Sequence, residues 1–107
     1  MSGGIQNNAE ATFASVTGGK SNSASGEFAS ASGGAFNTAS GKYASVSGGE
    51  ENTAEGEHAW IGGGTENLAS GLWAVIAGGG ANQASGKLSS ILGEKKLIAS
   101  TEFEALK

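Results

Sequence analysis

The chain has 107 residues, of which 20 are glycine and none is proline or cysteine, and ten acidic against six basic side chains give a net charge of −4. With no basic stripe to follow a phosphate backbone, nucleic acid is not an expected partner, and disulfide bonds are excluded. Alanine supplies much of the apolar fraction, so an ordinary globular core is improbable and oligomerisation is the expected support.

The sequence shows no membrane-spanning segment. No apolar run approaches the roughly 20 residues that cross a bilayer. The first residues also lack the charged and apolar regions of a signal peptide. We therefore expect no direct membrane span here, and we expect any export signal or membrane anchor to lie outside this segment.

A repeat of 15 residues runs through the whole chain. After a partial unit, SGGIQNNAEAT, the units are FASVTGGKSNSASGE, FASASGGAFNTASGK, YASVSGGEENTAEGE, HAWIGGGTENLASGL, WAVIAGGGANQASGK and a weakened LSSILGEKKLIASTE. A strict period of this length is the signature of a solenoid. We predict an all-β fold, a parallel β-solenoid of about seven 15-residue coils, with regular repeats over residues 1–92.

Two columns of the repeat define the predicted interior. Alanine fills the first in every unit, which indicates a place where neighbouring backbones approach too closely for a larger side chain. The second column lies two residues after another alanine, and that spacing puts both on one face of a strand. Segments of type Y-A-S-V-S are therefore predicted strands. The two columns are Ala9, Ala24, Ala39, Ala54, Ala69, Ala84 and Ala99, and Val16, Ala31, Val46, Ile61, Ile76, Ile91 and Leu106.

Glycine and asparagine columns mark the predicted corners. Each strand ends at a glycine pair such as Gly48-Gly49, where the backbone needs dihedral angles that other residues avoid. The next column is asparagine, for example Asn52, and we expect stacked asparagines to pass side-chain hydrogen bonds along the axis. A further glycine column, which includes Gly56, leads into the next strand. Each coil should have two strands and two turns, and coils about 4.8 Å apart should form a rod of roughly 34 Å.

A mostly aromatic column is predicted on the opposite face of the first strand. One hypothesis makes it a stacked ladder at a subunit interface. The other makes His58, Trp60 and Trp73, which fall on adjacent coils, a platform for the apolar faces of sugars. The column is Phe13, Phe28, Tyr43, His58, Trp73, Leu88 and Phe103, and the column two residues later is Ser15, Ser30, Ser45, Trp60, Val75, Ser90 and Ala105.

The repeat weakens over residues 93–107. Leu97 stands in the asparagine column and Glu94 in a glycine column. One interpretation is a degenerate last coil that caps the open edge of the roll or joins it to a following domain. The alternative is a short helix over residues 101–107, which contain two apolar residues spaced by three.

The motif ASVSGGEENTAEGE, with its alanine, glycine-pair, asparagine and A-x-G columns, resembles the head repeats of trimeric autotransporter adhesins. These YadA-like heads are left-handed parallel β-rolls, and related repeats occur in bacterial and phage fibre proteins. The resemblance covers essentially the whole chain. It implies a homotrimer around a threefold axis, an extracellular location at a cell surface as part of a longer fibre, and a glycan or protein receptor.

Together these features predict a structural or adhesive fibre segment that is not an enzyme. A nucleophilic triad is not expected, because there is no cysteine and the single histidine, His58, lies in an aromatic column. The glycine-rich turns have the wrong spacing for a P-loop, and no aspartate is present for calcium repeats, so we expect no cofactor or metal. The alternatives are a passive rigid spacer in a phage tail fibre or surface fibre and, on the strength of the serines around the apolar column, an ice-binding solenoid.

Overall fold

The computed structural model describes residues 4–102 and 105–106. The chain winds into a parallel β-solenoid of about six turns of about 15 residues, slightly fewer than the predicted seven. Six full repeats lie between two incomplete ones, which contribute one strand each, β1 (Asn8–Ala9) and β16 (Ala105–Leu106). The roll measures 36 × 23 × 11 Å, and its long dimension agrees with the predicted rod.

Within residues 4–102 and 105–106, two parallel sheets of seven strands form two sides of the roll, and every strand is two residues long. Each strand pairs with the strand one repeat away, as Ser30 pairs with Ser45. Sheet I consists of β1, β3 (Ser23–Ala24), β5 (Thr38–Ala39), β7 (Thr53–Ala54), β9 (Leu68–Ala69), β12 (Gln83–Ala84) and β15 (Ile98–Ala99). Sheet II consists of β2 (Ser15–Val16), β4 (Ser30–Ala31), β6 (Ser45–Val46), β8 (Trp60–Ile61), β10 (Val75–Ile76), β13 (Ser90–Ile91) and β16.

A third pairing column, which the sequence analysis did not predict, closes the roll. It is a row of single-residue parallel bridges from Ile5 to Gly80, and it continues as β11 (Gly79–Gly80) paired with β14 (Glu94–Lys95). At Lys20, for example, the N–H donates to the Gly34 carbonyl and the carbonyl accepts the Phe36 N–H, both at 2.9 Å. A single residue per coil between two turns is therefore enough to bond neighbouring coils.

The interior consists of the predicted columns. They are buried wherever they belong to full repeats, whereas Ala9 and Leu106, in the incomplete end coils, are partly exposed. No buried side-chain nitrogen or oxygen of the described residues lacks a hydrogen-bond partner. The buried apolar residues are Val16, Ala24, Ala29, Ala31, Ala39, Ala44, Val46, Ala54, Ala59, Ile61, Ala69, Ala74, Ile76, Ala84, Ile91 and Ala99.

The asparagine column forms a continuous ladder along the axis, as predicted, but its partners are backbone groups. Asn52 Oδ1 accepts the backbone N–H of Asn67 at 3.0 Å. Its Nδ2 donates at 3.0 Å to two carbonyls, that of Gly48 in its own coil and that of Gly64 in the next. The Asn52 side chain therefore satisfies three backbone groups at the corner between sheet II and sheet I.

Only the second glycine of each pair needs to be glycine. Gly49 has a φ of +88°, and a Cβ at this position would collide with the Gly64 carbonyl oxygen of the next coil. At Gly48 a Cβ would meet no atom within 4 Å, and the backbone there is not left-handed. Gly56 has an ordinary φ but lies too close to the Gly71 carbonyl for a side chain. The prediction for the pair is thus confirmed for one member and wrong for the other.

The described part of the last repeat continues the roll. Ala105–Leu106 pairs in parallel with Ser90–Ile91, so these two residues are a strand and the helical alternative for residues 101–107 is wrong there. Leu97 keeps one ladder bond, because its N–H donates to Asn82 Oδ1 at 2.8 Å. Phe103 lies outside the described residues. A capping or junction role for residues 93–107 stays a prediction.

Replacing the two glycines of one corner separately tests the coil-to-coil approach. Gly49→Ala should lower the free energy of unfolding by about 2 kcal/mol or more, because a left-handed backbone and a collision both oppose the methyl group. The matched Gly48→Ala should change it by less than about 1 kcal/mol in either direction. Urea denaturation at one fixed chain concentration measures the free energy of unfolding of both variants. Equal losses at the two positions would contradict the conclusion that only the second glycine must be glycine.

Removing one rung tests the ladder. Asn52→Ala leaves an N–H and two carbonyls without their partner, and at about 1 kcal/mol or more for each buried group we expect a loss of roughly 3 kcal/mol. Ser32→Ala, on the exposed outer surface, is the control and should stay within about 0.5 kcal/mol of the parent. Thermal unfolding of the two variants measures both changes in stability. If Asn52→Ala loses no more stability than Ser32→Ala, the ladder is not needed for the fold.

Candidate functional site

The aromatic column lies in a turn and not on the outer face of the sheet II strands, which corrects the prediction. In one repeat the turn is closed by the Ala44 N–H, which donates to the Gly41 carbonyl at 3.0 Å. Tyr43 is the third residue of this turn and has a φ of 61°. Strand β6 begins two residues later, at Ser45. The 15-residue period could not show whether the column lies in a strand or in a turn, because residues of both recur with the same period.

A left-handed backbone recurs at every described member of the column. The φ angles are between 59° and 61° for Phe13, Phe28, Tyr43, His58, Trp73 and Leu88. Glycine usually fills such a turn position, and any other residue costs roughly 1–2 kcal/mol there. Axial hydrogen bonds hold the turns together, as in the Tyr43 N–H donated to the Glu27 carbonyl at 2.9 Å. This cost recurs in every coil, and a contact between side chains of successive coils can offset it.

Stacking of the rings supplies that contact. Ring centroids are 4.9 Å apart for Phe13–Phe28 and Phe28–Tyr43, 4.7 Å for Tyr43–His58 and 4.1 Å for His58–Trp73. The planes are inclined by 12° or less. Such pairs contribute about 0.5–1.5 kcal/mol each beyond their buried area. These five residues form the aromatic ladder, which confirms the stacked-ladder hypothesis. Its location at a subunit interface stays a prediction.

The ladder presents ring edges to the solvent. Tyr43 and Trp73 lie over the two faces of His58, and the same holds for the neighbours of Phe28 and Tyr43. Sugars contact indoles and phenyl rings through the faces of the rings, which are largely covered here. The ladder geometry therefore does not favour His58 as part of a sugar platform.

Trp60 stands apart from the other two predicted site residues. It lies on strand β8, whereas His58 and Trp73 lie in the turn column, and among the described rings none stacks on its indole. The predicted constellation of three is thus divided into a stacked pair and a separate indole. Both tryptophans are solvent-accessible, with exposed fractions of 38% for Trp60 and 50% for Trp73.

A notch in the surface holds the Trp60 indole. Its Nε1–H donates to Ser47 Oγ at 3.2 Å. A Cβ on Gly62 would lie 2.6 Å from the Ala77 carbonyl oxygen and 2.7 Å from Cη2 of the indole, so the backbone of the next coil and the ring both occupy space that a side chain at position 62 would need. The corresponding positions of the other repeats are Thr17, Ser32, Ser47, Ala77 and Leu92. The sequence analysis missed this notch, although the three consecutive glycines from Gly62 could have signalled it.

The outer surface of sheet II changes character at Trp60. Serine and threonine occupy both outward columns in the first three full repeats. On the C-terminal side Val75 is the direct neighbour of Trp60, and beyond it opens a hollow of about 260 Å³. The residues around this hollow are Val75, Ala77, Ser90, Ile91, Leu92, Ala105 and Leu106. The outer face of sheet II is therefore hydroxylated toward the N-terminus and mainly apolar toward the C-terminus, and the Trp60 indole lies at the boundary.

Charged groups beside the ladder form solvent-exposed pairs. Lys42 Nζ lies 3.6 Å from a carboxylate oxygen of Glu27 and 5.6 Å from the centre of the Tyr43 ring. His58 Nε2 lies 3.9 Å from a Glu57 carboxylate oxygen. An ion pair as exposed as that of Lys42 and Glu27 contributes at most about 1 kcal/mol. Within residues 4–102 and 105–106, no three acidic, histidine or cysteine side chains lie close enough together to hold a metal ion.

No protein-family model matches the chain, and no curated protein matches it either. The described residues include no helix long and apolar enough to cross a membrane. The resemblance to adhesin heads therefore rests on the repeat itself and on the parallel β-solenoid that it forms.

Two substitutions of one ladder residue test the balance between strain and stacking. Tyr43→Ala and Tyr43→Gly both remove two ring contacts, so both should be less stable than the parent. Glycine should be the better of the two by about 1 kcal/mol, because it alone adopts a positive φ without strain.

The control is the same pair of substitutions at Ser45, in strand β6, where glycine should be the worse choice by about 0.5–1 kcal/mol. Chemical denaturation of the four variants gives the order at each position. If alanine is more stable than glycine at both positions, the backbone at Tyr43 is not a strained turn.

Proposed function

We propose that the chain is a structural and adhesive segment of an extracellular homotrimeric fibre. The observation that carries the proposal is an inverted distribution of apolar side chains. Among the described residues, eleven of the sixteen buried apolar side chains are alanine, whereas aromatic side chains such as Phe28, Tyr43 and Trp73 lie on the surface. Large exposed apolar surfaces on a narrow roll favour association with further chains.

The aromatic ladder is the proposed subunit interface. It runs straight along the roll axis, so three parallel copies around a threefold axis could each contribute one line of ring edges. Edge contacts between aromatic rings are favourable, and burial of the ladder would add apolar area that the alanine core lacks. The resemblance to adhesin heads supports the parallel threefold arrangement, a left-handed roll and a place at the cell surface.

The adhesive function is distinguished from a passive spacer by exposed recognition groups. A rigid spacer in a phage tail fibre or surface fibre needs none, and it is the second candidate because the roll is a uniform rod. Trp60 favours adhesion, since it lies on sheet II, away from the ladder, and is accessible. The ice-binding alternative has less support, because the hydroxyl columns are interrupted at Trp60 and Gly62 and continue with Val75 and Ala77.

The mass of the purified chain in solution tests the trimer. Light scattering should give three times the chain mass of 10.4 kDa at micromolar concentration. Tyr43→Lys places a charge in the proposed interface and should shift the mass toward that of one chain. Ser32→Lys, on the outer surface of sheet II, should leave the trimer intact. A parent chain that is folded and monomeric would overturn the proposal.

A further inference from the structure

Trp60 lies outside the buried core of its coil. The interior position of strand β8 is filled by the fully buried Ile61, and Trp60 projects to the outer surface. The neighbouring strands carry Ser45 and Val75 at the paired positions. Trp60 keeps 38% of its surface accessible beside the hydroxylated part of the outer face of sheet II, so its indole is available for a contact with another molecule.

The indole is preorganised for such a contact. Its Nε1–H is bonded to Ser47 Oγ, and the edge that carries Cζ2 and Cη2 lies in the notch left by Gly62. These two constraints act on one edge of the ring, and no other described ring covers its faces. A side chain that is already fixed loses little conformational entropy when a ligand binds.

Hydroxyl groups lie beside the ring. Ser47 Oγ accepts the indole proton, so its own hydrogen is available to donate. Ser45 pairs with Trp60 in the sheet register and offers a second hydroxyl one coil away. The combination of an accessible indole with hydroxyls beside it matches a molecule that is apolar on one face and hydroxylated at its rim. A pyranose ring has that chemistry.

We infer that Trp60, Ser45 and Ser47 form a contact site for a single neutral hexopyranose ring. The inference rests on the adhesive function proposed above. It places the sugar contact at the Trp60 indole on sheet II and not at the aromatic ladder. The site is shallow and contains no charged group within this set of three residues. Its affinity for a monosaccharide should be weak, with a dissociation constant on the order of 1 mM. Three copies in one fibre would strengthen attachment to a surface that carries many glycans.

The chain contains two tryptophans, which makes a direct test possible. The indole Nε1–H signals of the ¹⁵N-labelled protein are recorded while methyl β-D-glucopyranoside, methyl α-D-mannopyranoside and methyl β-D-galactopyranoside are added separately up to about 50 times the expected constant. Trp73→Phe assigns the two signals. We expect a saturable shift of the Trp60 signal with at least one glycoside, whereas the Trp73 signal stays in place.

Substitutions around the indole provide the controls. Trp60→Ala should abolish binding, and Ser47→Ala should weaken it about tenfold by releasing Nε1. Gly62→Ser should displace the ring and weaken binding to a similar degree; because its Cβ would also lie 2.6 Å from the Ala77 carbonyl oxygen, a circular dichroism spectrum equal to that of the parent must accompany this result. The adjacent Gly63→Ser is its matched control, because a side chain at Gly63 meets no atom within 4 Å and its φ is not positive, so binding should be unchanged.

Three results would overturn the inference. They are the absence of any saturable shift with the three glycosides, a shift of Trp73 that survives Trp60→Ala, and a Trp60 indole shielded from a soluble paramagnetic probe in the assembled protein. The last result would make this surface an interface between copies of the chain. Light scattering of the same samples separates the outcomes, since a trimer without sugar binding leaves the proposed fibre function intact while this site fails.

Discussion

Hydrogen bonding at the asparagine corner is the constraint on which the roll depends. The backbone leaves sheet II just before each glycine pair and enters sheet I a few residues after it, and this corner would otherwise leave buried backbone groups without partners. Asn37 and Asn52 supply those partners, because each accepts the N–H of the next asparagine and donates to two glycine carbonyls. The same contacts fix the distance between coils, and that distance leaves no room for a side chain at Gly49 or Gly56.

A narrow coil spacing also determines which residues lie inside and which lie outside. In the part of the chain that the structure describes, the buried apolar side chains are alanine, valine and isoleucine, and the aromatic side chains lie on the surface. In the turn column the spacing brings the rings of successive repeats to between 4.1 and 4.9 Å, which allows Tyr43 and its neighbours to stack. Stacking in turn offsets the strain of a positive φ. The surface ladder and the thin core thus have one origin, and together they favour assembly with further chains.

The sequence was sufficient for the architecture and insufficient for the site. A strict period predicts which residues share a column, so the buried Val16 and Ala24 columns, the Asn52 ladder and the length of the rod could be anticipated. The period does not contain dihedral angles, so Tyr43 was assigned to a strand although it lies in a left-handed turn. The notch that holds Trp60 depends on one departure from the repeat, Gly62. A comparison of whole columns describes what the repeats share, so it does not identify a single departure of this kind. The repeated residues determine how the coils pack, whereas a binding site such as that at Trp60 depends on residues that do not repeat.

Hydrogen exchange of individual backbone amides tests the asparagine ladder most directly. In solution, the backbone N–H groups of Asn37, Asn52 and Asn67 should be among the most protected in the chain, since each is buried and donates to an asparagine Oδ1 at 2.9–3.0 Å. Amides in the outer turns, such as that of Glu27, should exchange far faster. If the asparagine amides exchange at the rate of the Glu27 amide while the sheet amides stay protected, coil stacking does not depend on the ladder and the central claim is contradicted.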